Sequence, residues 1–392
     1  MIKNQKPLYY PEYLFLNKLL DSQHPKSAEF GHEAHDEMLF IIVHQAYELW
    51  FKQILHELKP VLKIFSQIHV QESDLGFILA RFERVIKIQS LLQKQLEVLE
   101  TMTPMDFLEF RDLLIPASGF QSVQFKTIET LMGLTTQNRY TVDRDSFLGR
   151  LKDGDKQQIE NLEKQESLFT LIDKWLCRMP FTEQNNFVFW KQYENAVYEM
   201  LLRDEKVIDS NTFSSELERK IQKDFLQTTR ITFQSLFDEK IHENLVSLGQ
   251  RRISRKALLN GLFIFLYRHE PLVHLPYKVL NALIDIDENF TIWRHRHAMM
   301  AHRMLGAKIG TGGTSGQEYL KKAADQNRVF LDLFNISTFI IPKSSLPDLP
   351  VWLKQDLNFH YTFKDNNKEI FKDKNSKKIN NESFNEGPPL SF

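Results

Sequence analysis

Chain breakers are scarce in this sequence and unevenly spread. Fourteen glycines and fourteen prolines serve 392 residues, about 3.6% each against roughly 7% and 5% in ordinary proteins. A turn-rich sandwich, a propeller or a collagen-like chain needs many more, so long helices are the default architecture. Five of the glycines, Gly306, Gly310, Gly312, Gly313 and Gly316, fall within eleven residues. That stretch asks for unusual backbone in a chain that otherwise avoids it.

Hydrophobic periodicity points the same way. Over residues 37–65, Phe40, Tyr47, Trp50, Ile54, Leu58, Val61 and Phe65 recur at helical intervals, with Pro60 as a candidate kink. Over 74–99, Leu75, Ile78, Leu79, Phe82, Val85, Ile86 and Ile88 mark an amphipathic bundle helix. Thr103 and Pro104 read as an N-cap followed by proline at N1 of a helix that runs to Leu114, before Pro116. After a break at Ala117, Ser118 and Gly119, a further helix is expected over 120–132. Residues 138–230 are more polar, with 152–155 loop-like. Residues 252–305 are again helical and apolar, with one break expected around Pro271 to Pro276. No repeat of fixed period occurs. The simplest partition is one all-α domain with an appended tail, where Lys, Asn, Glu and Ser dominate and too few apolar residues remain to pack.

Composition excludes several function classes. Fifty basic against fifty-one acidic residues leave a net charge of −1, so no global field draws the chain to nucleic acid or an anionic membrane. With 42% hydrophobic residues and 31 phenylalanines, a large core can be buried. Cys177 is the only cysteine, which rules out an internal disulfide and any multi-cysteine zinc or iron–sulfur site and suits a reducing compartment. The most apolar run, 257–267, contains Asn260 and falls short of the roughly 20 residues a bilayer span needs. Near the start, Pro11, Glu12 and Asn17 interrupt the aromatic run Tyr9, Tyr10, Tyr13 and Phe15, unlike a signal-peptide core. A cytoplasmic protein is the expectation.

Few residues carry an evident chemical signal. His32 and His35, with Asp36 and Glu37, are one residue short of the zincin spacing and read as surface groups opening a helix, the acids near its positive end. His44 shares a helix face with Phe40, with Tyr47 beside it. It is either a core histidine or a polar group aimed into an apolar pocket. Arg111 shares a face with Phe107 and Leu114, where an unpaired charge would cost several kcal/mol. Its partner is either one of the acidic side chains or the carboxylate of a substrate. In the basic stretch from Trp293 to Arg303, His295 and His297 point to different sides of a helix and cannot share one metal. A single axial ligand remains open among His295, His297 and His302. The loop 310–316 misses both the dinucleotide fingerprint and the P-loop. With backbone N–H groups and three hydroxyls it suits a small anionic or zwitterionic ligand.

Six stretches in order make the chain resemble the tryptophan 2,3-dioxygenase family of all-helical haem enzymes. They are Tyr10 to Leu14, His35 through His44 to Gln53, Asp106 through Arg111 to Ser122, Trp293 to His297, the glycine loop 310–316, and Phe330 to Asn335. The resemblance implies haem b, one per subunit and active as Fe(II), with His297 as the axial iron ligand; in the family that histidine lies fourteen residues before the loop threonine. It further implies that His44 accepts a hydrogen bond from the indole N–H, that Arg111 clamps the substrate carboxylate and that Thr311 contacts the ammonium and carboxylate. Phe40, Phe107 and Leu114 would wall the indole ring, and Ser118 and Gly119 would line the distal side of the haem. A homotetramer, a dimer of dimers, is implied, with an arm over 1–30 placing Tyr10, Tyr13 and Leu14 in the neighbour's site. The haem and substrate domain would then be 31–348 and the extension 349–392, disordered from about 364. The implied reaction inserts both atoms of O2 across the indole C2–C3 bond of L-tryptophan, giving N-formylkynurenine. Val43, Ile115 and Thr314 stand where relatives often carry Thr, Ser and Ser, and Phe107 replaces a tyrosine found in some. The alternatives are an indole monooxygenase of the same fold, whose tailless substrate would leave Arg111 without a partner, and a non-catalytic haem sensor.

Overall fold

A computed structural model describes residues 6–134, 139, 148–149, 151–180, 183–184, 187–306 and 316–358. Gly310, Thr311, Gly312 and Gly313 lie outside the described residues, as does the chain from 359 onward, which includes the tail expected to be disordered from 364.

Three long helices organise the core: His35–Phe65, Glu72–Leu99 and Pro271–Leu305. The third packs along the second, the second packs on the first, and Gly316–Gln326 folds back on the third. Each buries a stripe at helical spacing: Ile54, Leu58 and Val61; Ile78, Phe82 and Val85; Val279, Leu283 and Ile286. Full burial of such side chains is worth roughly 1.5–3 kcal/mol each, so these stripes hold the helices side by side. The fold is all-α; the one ladder among the described residues pairs Glu183–Gln184 with Phe187–Val188.

Both internal prolines are absorbed. Pro60 lies within the first helix and Pro276 within the third. Each removes one N–H, and neither ends its helix. The expected break around Pro271 to Pro276 is therefore confined to residues 267–270, between Arg255–Leu266 and a helix that takes Pro271 at its first turn, where a missing N–H costs nothing. Thr103 caps Pro104–Arg111 through a capping box with Asp106. The chain then tightens into a 3-10 turn, Asp112–Leu114, and meets Pro116 through a cis bond.

Three expected boundaries shift. The helix expected from 120 starts at Val123, because Ser122 caps it by accepting from the Phe125 amide, while Gly119–Gln121 forms its own 3-10 turn. The loop-like 152–155 is an N-cap, Lys152, and the acidic first turn of Asp153–Glu163. The extension expected from 349 instead packs its first residues: Leu349, Leu353 and Leu357 are buried, and the Leu272 amide donates to the Leu357 carbonyl at 3.0 Å.

Glu37 departs most from its expected surface role. It is 1% exposed, and its two carboxylate oxygens accept from the backbone N–H groups of Lys26 (2.7 Å) and Ser27 (2.8 Å). A carboxylate satisfies the amides that open the short Lys26–Glu29 helix. His32 and His35 are exposed. So is the preceding Tyr10–Leu14 turn, with Tyr10 and Tyr13 at 70% and 66%. Among the described residues, no helix is long and apolar enough to cross a membrane.

Candidate functional site

The core encloses a cavity of about 350 Å³ between His35–Phe65, Val123–Met132, Pro271–Leu305 and Gly316–Gln326. Its walls are mainly Phe, Trp, Met and Leu side chains, a size and character suited to a cofactor or a large aromatic ligand.

His44 reaches this cavity from the first helix, with its ring 4.1 Å from that of Phe40. Its Nδ1 lies 2.7 Å from the Phe40 carbonyl oxygen. A carbonyl can only accept, so Nδ1 carries the hydrogen and Nε2 keeps its lone pair. Burial pushes the imidazole below its ordinary pKa, against smaller upward pulls from the Phe40 carbonyl and Glu48. His44 is thus a neutral hydrogen-bond acceptor in an apolar wall. Phe107 stacks on Phe40 at 5.8 Å, and both contact Phe110 edge-on.

His297 comes from the third long helix. Trp293, Met300, Ala301 and Met304 line the cavity beside it, at the i−4, i+3, i+4 and i+7 positions that share its face. Trp293 stacks on the imidazole, rings nearly parallel at 5.3 Å, and its Nε1 donates to Tyr47 Oη at 3.4 Å. Burial, reinforced by His44 in the same cavity, pushes the His297 pKa to about 4. The ring is neutral at neutral pH, the state that donates a lone pair to a metal. His295 points away, its Nε2 3.3 Å from Asp325, and His302 is exposed. Of the three histidines that spacing left open, His297 alone lines the cavity.

A polar corner completes the wall. Lys126, Glu129, Arg139 and Arg294 all face the cavity and all are buried. Burial alone would raise the Glu129 pKa, but Arg139 and Arg294 outweigh it and hold the carboxyl below its usual range. This corner was not anticipated from sequence, because Glu129 and Arg294 are 165 positions apart. Met300 and Met304 were within reach, since they fall on the His297 face.

The remaining expected site residues divide. Ser118 and Gly119 line the cavity, and a Cβ at Gly119 would meet nothing within 4 Å. Arg111 and Leu114 are not among its lining residues; Arg111 lies one turn beyond Phe107, its side chain 14% exposed and 3.1 Å from Asp112. Tyr10, Tyr13 and Leu14 are exposed and do not line this chain's own cavity. Thr311 lies outside the described residues.

The tryptophan 2,3-dioxygenase family model matches residues 2–340. Relatives named tryptophan 2,3-dioxygenase include one from Alteromonas mediterranea, 49% identical over 360 residues that cover 92% of this chain and 99% of the relative. One from Bdellovibrio bacteriovorus is 47% identical, covering 91% and 99%. One from Dictyostelium discoideum is 42% identical, covering 91% and 90%.

Proposed function

The chain belongs to the tryptophan 2,3-dioxygenase family, and from that premise we propose that it oxidises L-tryptophan with O2 to N-formylkynurenine, using haem b held by His297. The observation that carries this reading is the pair of neutral imidazoles, His44 and His297, on one apolar cavity.

The residues present fit haem. The cavity offers a desolvated neutral imidazole, flat aromatic and methionine walls, small residues at Ser118, Gly119, Ala301 and Ala323, and cationic side chains, Lys126 and Arg139, suited to the carboxylates of haem. The sole cysteine, Cys177, does not line it, so a histidine and not a thiolate would hold the iron. Bound haem supplies the ferrous iron at which O2 is activated.

The protein's share is binding, orientation and exclusion of water. His44 Nε2 accepts the indole N–H and so fixes which edge of the ring points inward. Phe40 and Phe107 wall the ring, with Leu114 beyond them, and Arg111 takes the substrate carboxylate. Thr311 is assigned to the ammonium and carboxylate. Supplying haem during purification, reducing with ascorbate and adding O2 and L-tryptophan tests the whole reading. A Soret band with formylkynurenine absorbance is expected; a band without product would reduce the protein to a haem binder, and no band would overturn both.

The acceptor role of His44 has a pH signature. Protonation fills Nε2 and abolishes the acceptor, and burial keeps the folded pKa below the ordinary 6.5. We expect kcat/KM for L-tryptophan to hold level from about pH 8 down to pH 6.5 and to fall only below that. A decline centred above pH 6.5 that vanishes in His44→Gln would contradict a neutral acceptor.

The exposed Tyr10 and Tyr13, with Leu14 beside them, support the homotetramer in which this arm completes a neighbour's site. Deleting residues 1–16 should raise KM for L-tryptophan by tenfold or more and leave haem bound. Unchanged saturation behaviour in the truncated protein would count against the arrangement. A cytoplasmic setting suits a chain whose only cysteine is Cys177.

A further inference from the structure

Arg294 stands three residues before His297 on the same helix, so the two side chains project to one side. The residue is 8% exposed and its guanidinium is held at two points: Nη1 donates to the Asn327 carbonyl at 2.8 Å and Nη2 to Glu129 Oε1 at 2.7 Å. The other Glu129 oxygen takes Arg139. Glu129 belongs to Val123–Met132, and Asn327 directly follows Gly316–Gln326. One guanidinium therefore ties the helix of His297 to two other walls of the cavity.

Stability does not account for this arrangement. Replacing a buried ion pair by well-packed apolar residues is often neutral or stabilising, so a gain in stability does not by itself explain a charged corner in this cavity. What a guanidinium anchored through both of its Nη atoms supplies is a fixed rotation of its helix. A side-chain tip lies roughly 6 Å from a helix axis, so a turn of about 10° moves it by about 1 Å, enough to spoil ligation or catalysis.

We propose that Glu129, acting through Arg294, is a positioning residue that fixes the rotation of the Pro271–Leu305 helix at His297 and so aims the imidazole into the cavity. The inference rests on the haem reading of His297. Glu129→Gln keeps the shape and loses the charge that holds Arg294; Glu129→Asp keeps the charge on a shorter stem.

The test uses the full chain loaded with haem, comparing wild type with Glu129→Gln, Glu129→Asp and Arg294→Lys. Three quantities are read: haem affinity from the Soret titration, the iron–histidine stretching band of the ferrous protein by resonance Raman, and the melting curve by circular dichroism. Glu129→Gln should bind haem 10- to 100-fold more weakly, the range typical when a ligand's supporting partner is lost, with a shifted or broadened iron–histidine band. Glu129→Asp should recover part of both. If Glu129→Gln does not fold, Arg294→Lys decides on the same readouts, because lysine keeps the charge and cannot make both contacts. Haem affinity within twofold of wild type and an unmoved band would overturn the proposal, even with a lowered melting temperature, since that pattern marks a merely structural pair. Wild type that binds no haem is a different failure, of the haem reading itself.

Discussion

Substituting alanine for His297 is expected to remove the Soret band from protein purified with haem supplied, lowering haem affinity more than 100-fold and abolishing turnover of L-tryptophan. His295 is turned towards Asp325 and His302 is exposed, so neither can replace it. His44 also lines the cavity and keeps its Nε2 lone pair, so any residual Soret band in this variant should disappear when His44→Ala is added. The apo-protein should keep its helical content and melt no lower than wild type freed of haem, because the substitution removes a polar ring from a site that desolvates it. Exogenous imidazole should restore part of the band by filling the space. A variant with wild-type Soret intensity would show that iron is held elsewhere.

Arg111→Ala should lower kcat/KM for L-tryptophan by 30-fold or more, about 2 kcal/mol, because a desolvated charge pair with the substrate carboxylate is lost. The same variant should treat indole, which has no amino-acid tail, much as wild type does. The surface pair with Asp112, 79% exposed, adds at most about 1 kcal/mol to stability, and a melting curve recorded beside the kinetics measures what the substitution costs the fold. That combination separates a lost substrate contact from a damaged fold. Kinetics within threefold of wild type on L-tryptophan would remove Arg111 from the site.

How far the sequence reached depended on the range of the interaction involved. The long helices, the capping box at Thr103 and the stop before Pro116 rest on contacts within four residues, and each is readable from spacing. The misplaced start at 120 came from ending the break at Gly119, whereas Ser118 caps only a 3-10 turn and the helix begins after a second cap, Ser122. Pro276 misled because proline is a local breaker, yet the buried stripe from Val273 to Ile286 carries the helix through it. Glu37 looked like a surface acid because the amides it satisfies lie ten and eleven residues earlier, outside any helical spacing.

The site divides along the same line. That His44 lies with Phe40, and that Trp293, His297, Met300 and Met304 share one face, follows from helix geometry and needs only the sequence. Family membership, too, is carried by motifs in order along the chain. Spacing left three histidines of the basic stretch open and the family resemblance pointed to His297; tertiary structure brings that one to the cavity, leaves Nε2 of His44 to accept, and joins Glu129 to Arg294. Spacing states which side chains share a face but not where that face points. The direction is set by rotation against the neighbouring helices, which depends on packing between residues more than a hundred positions apart.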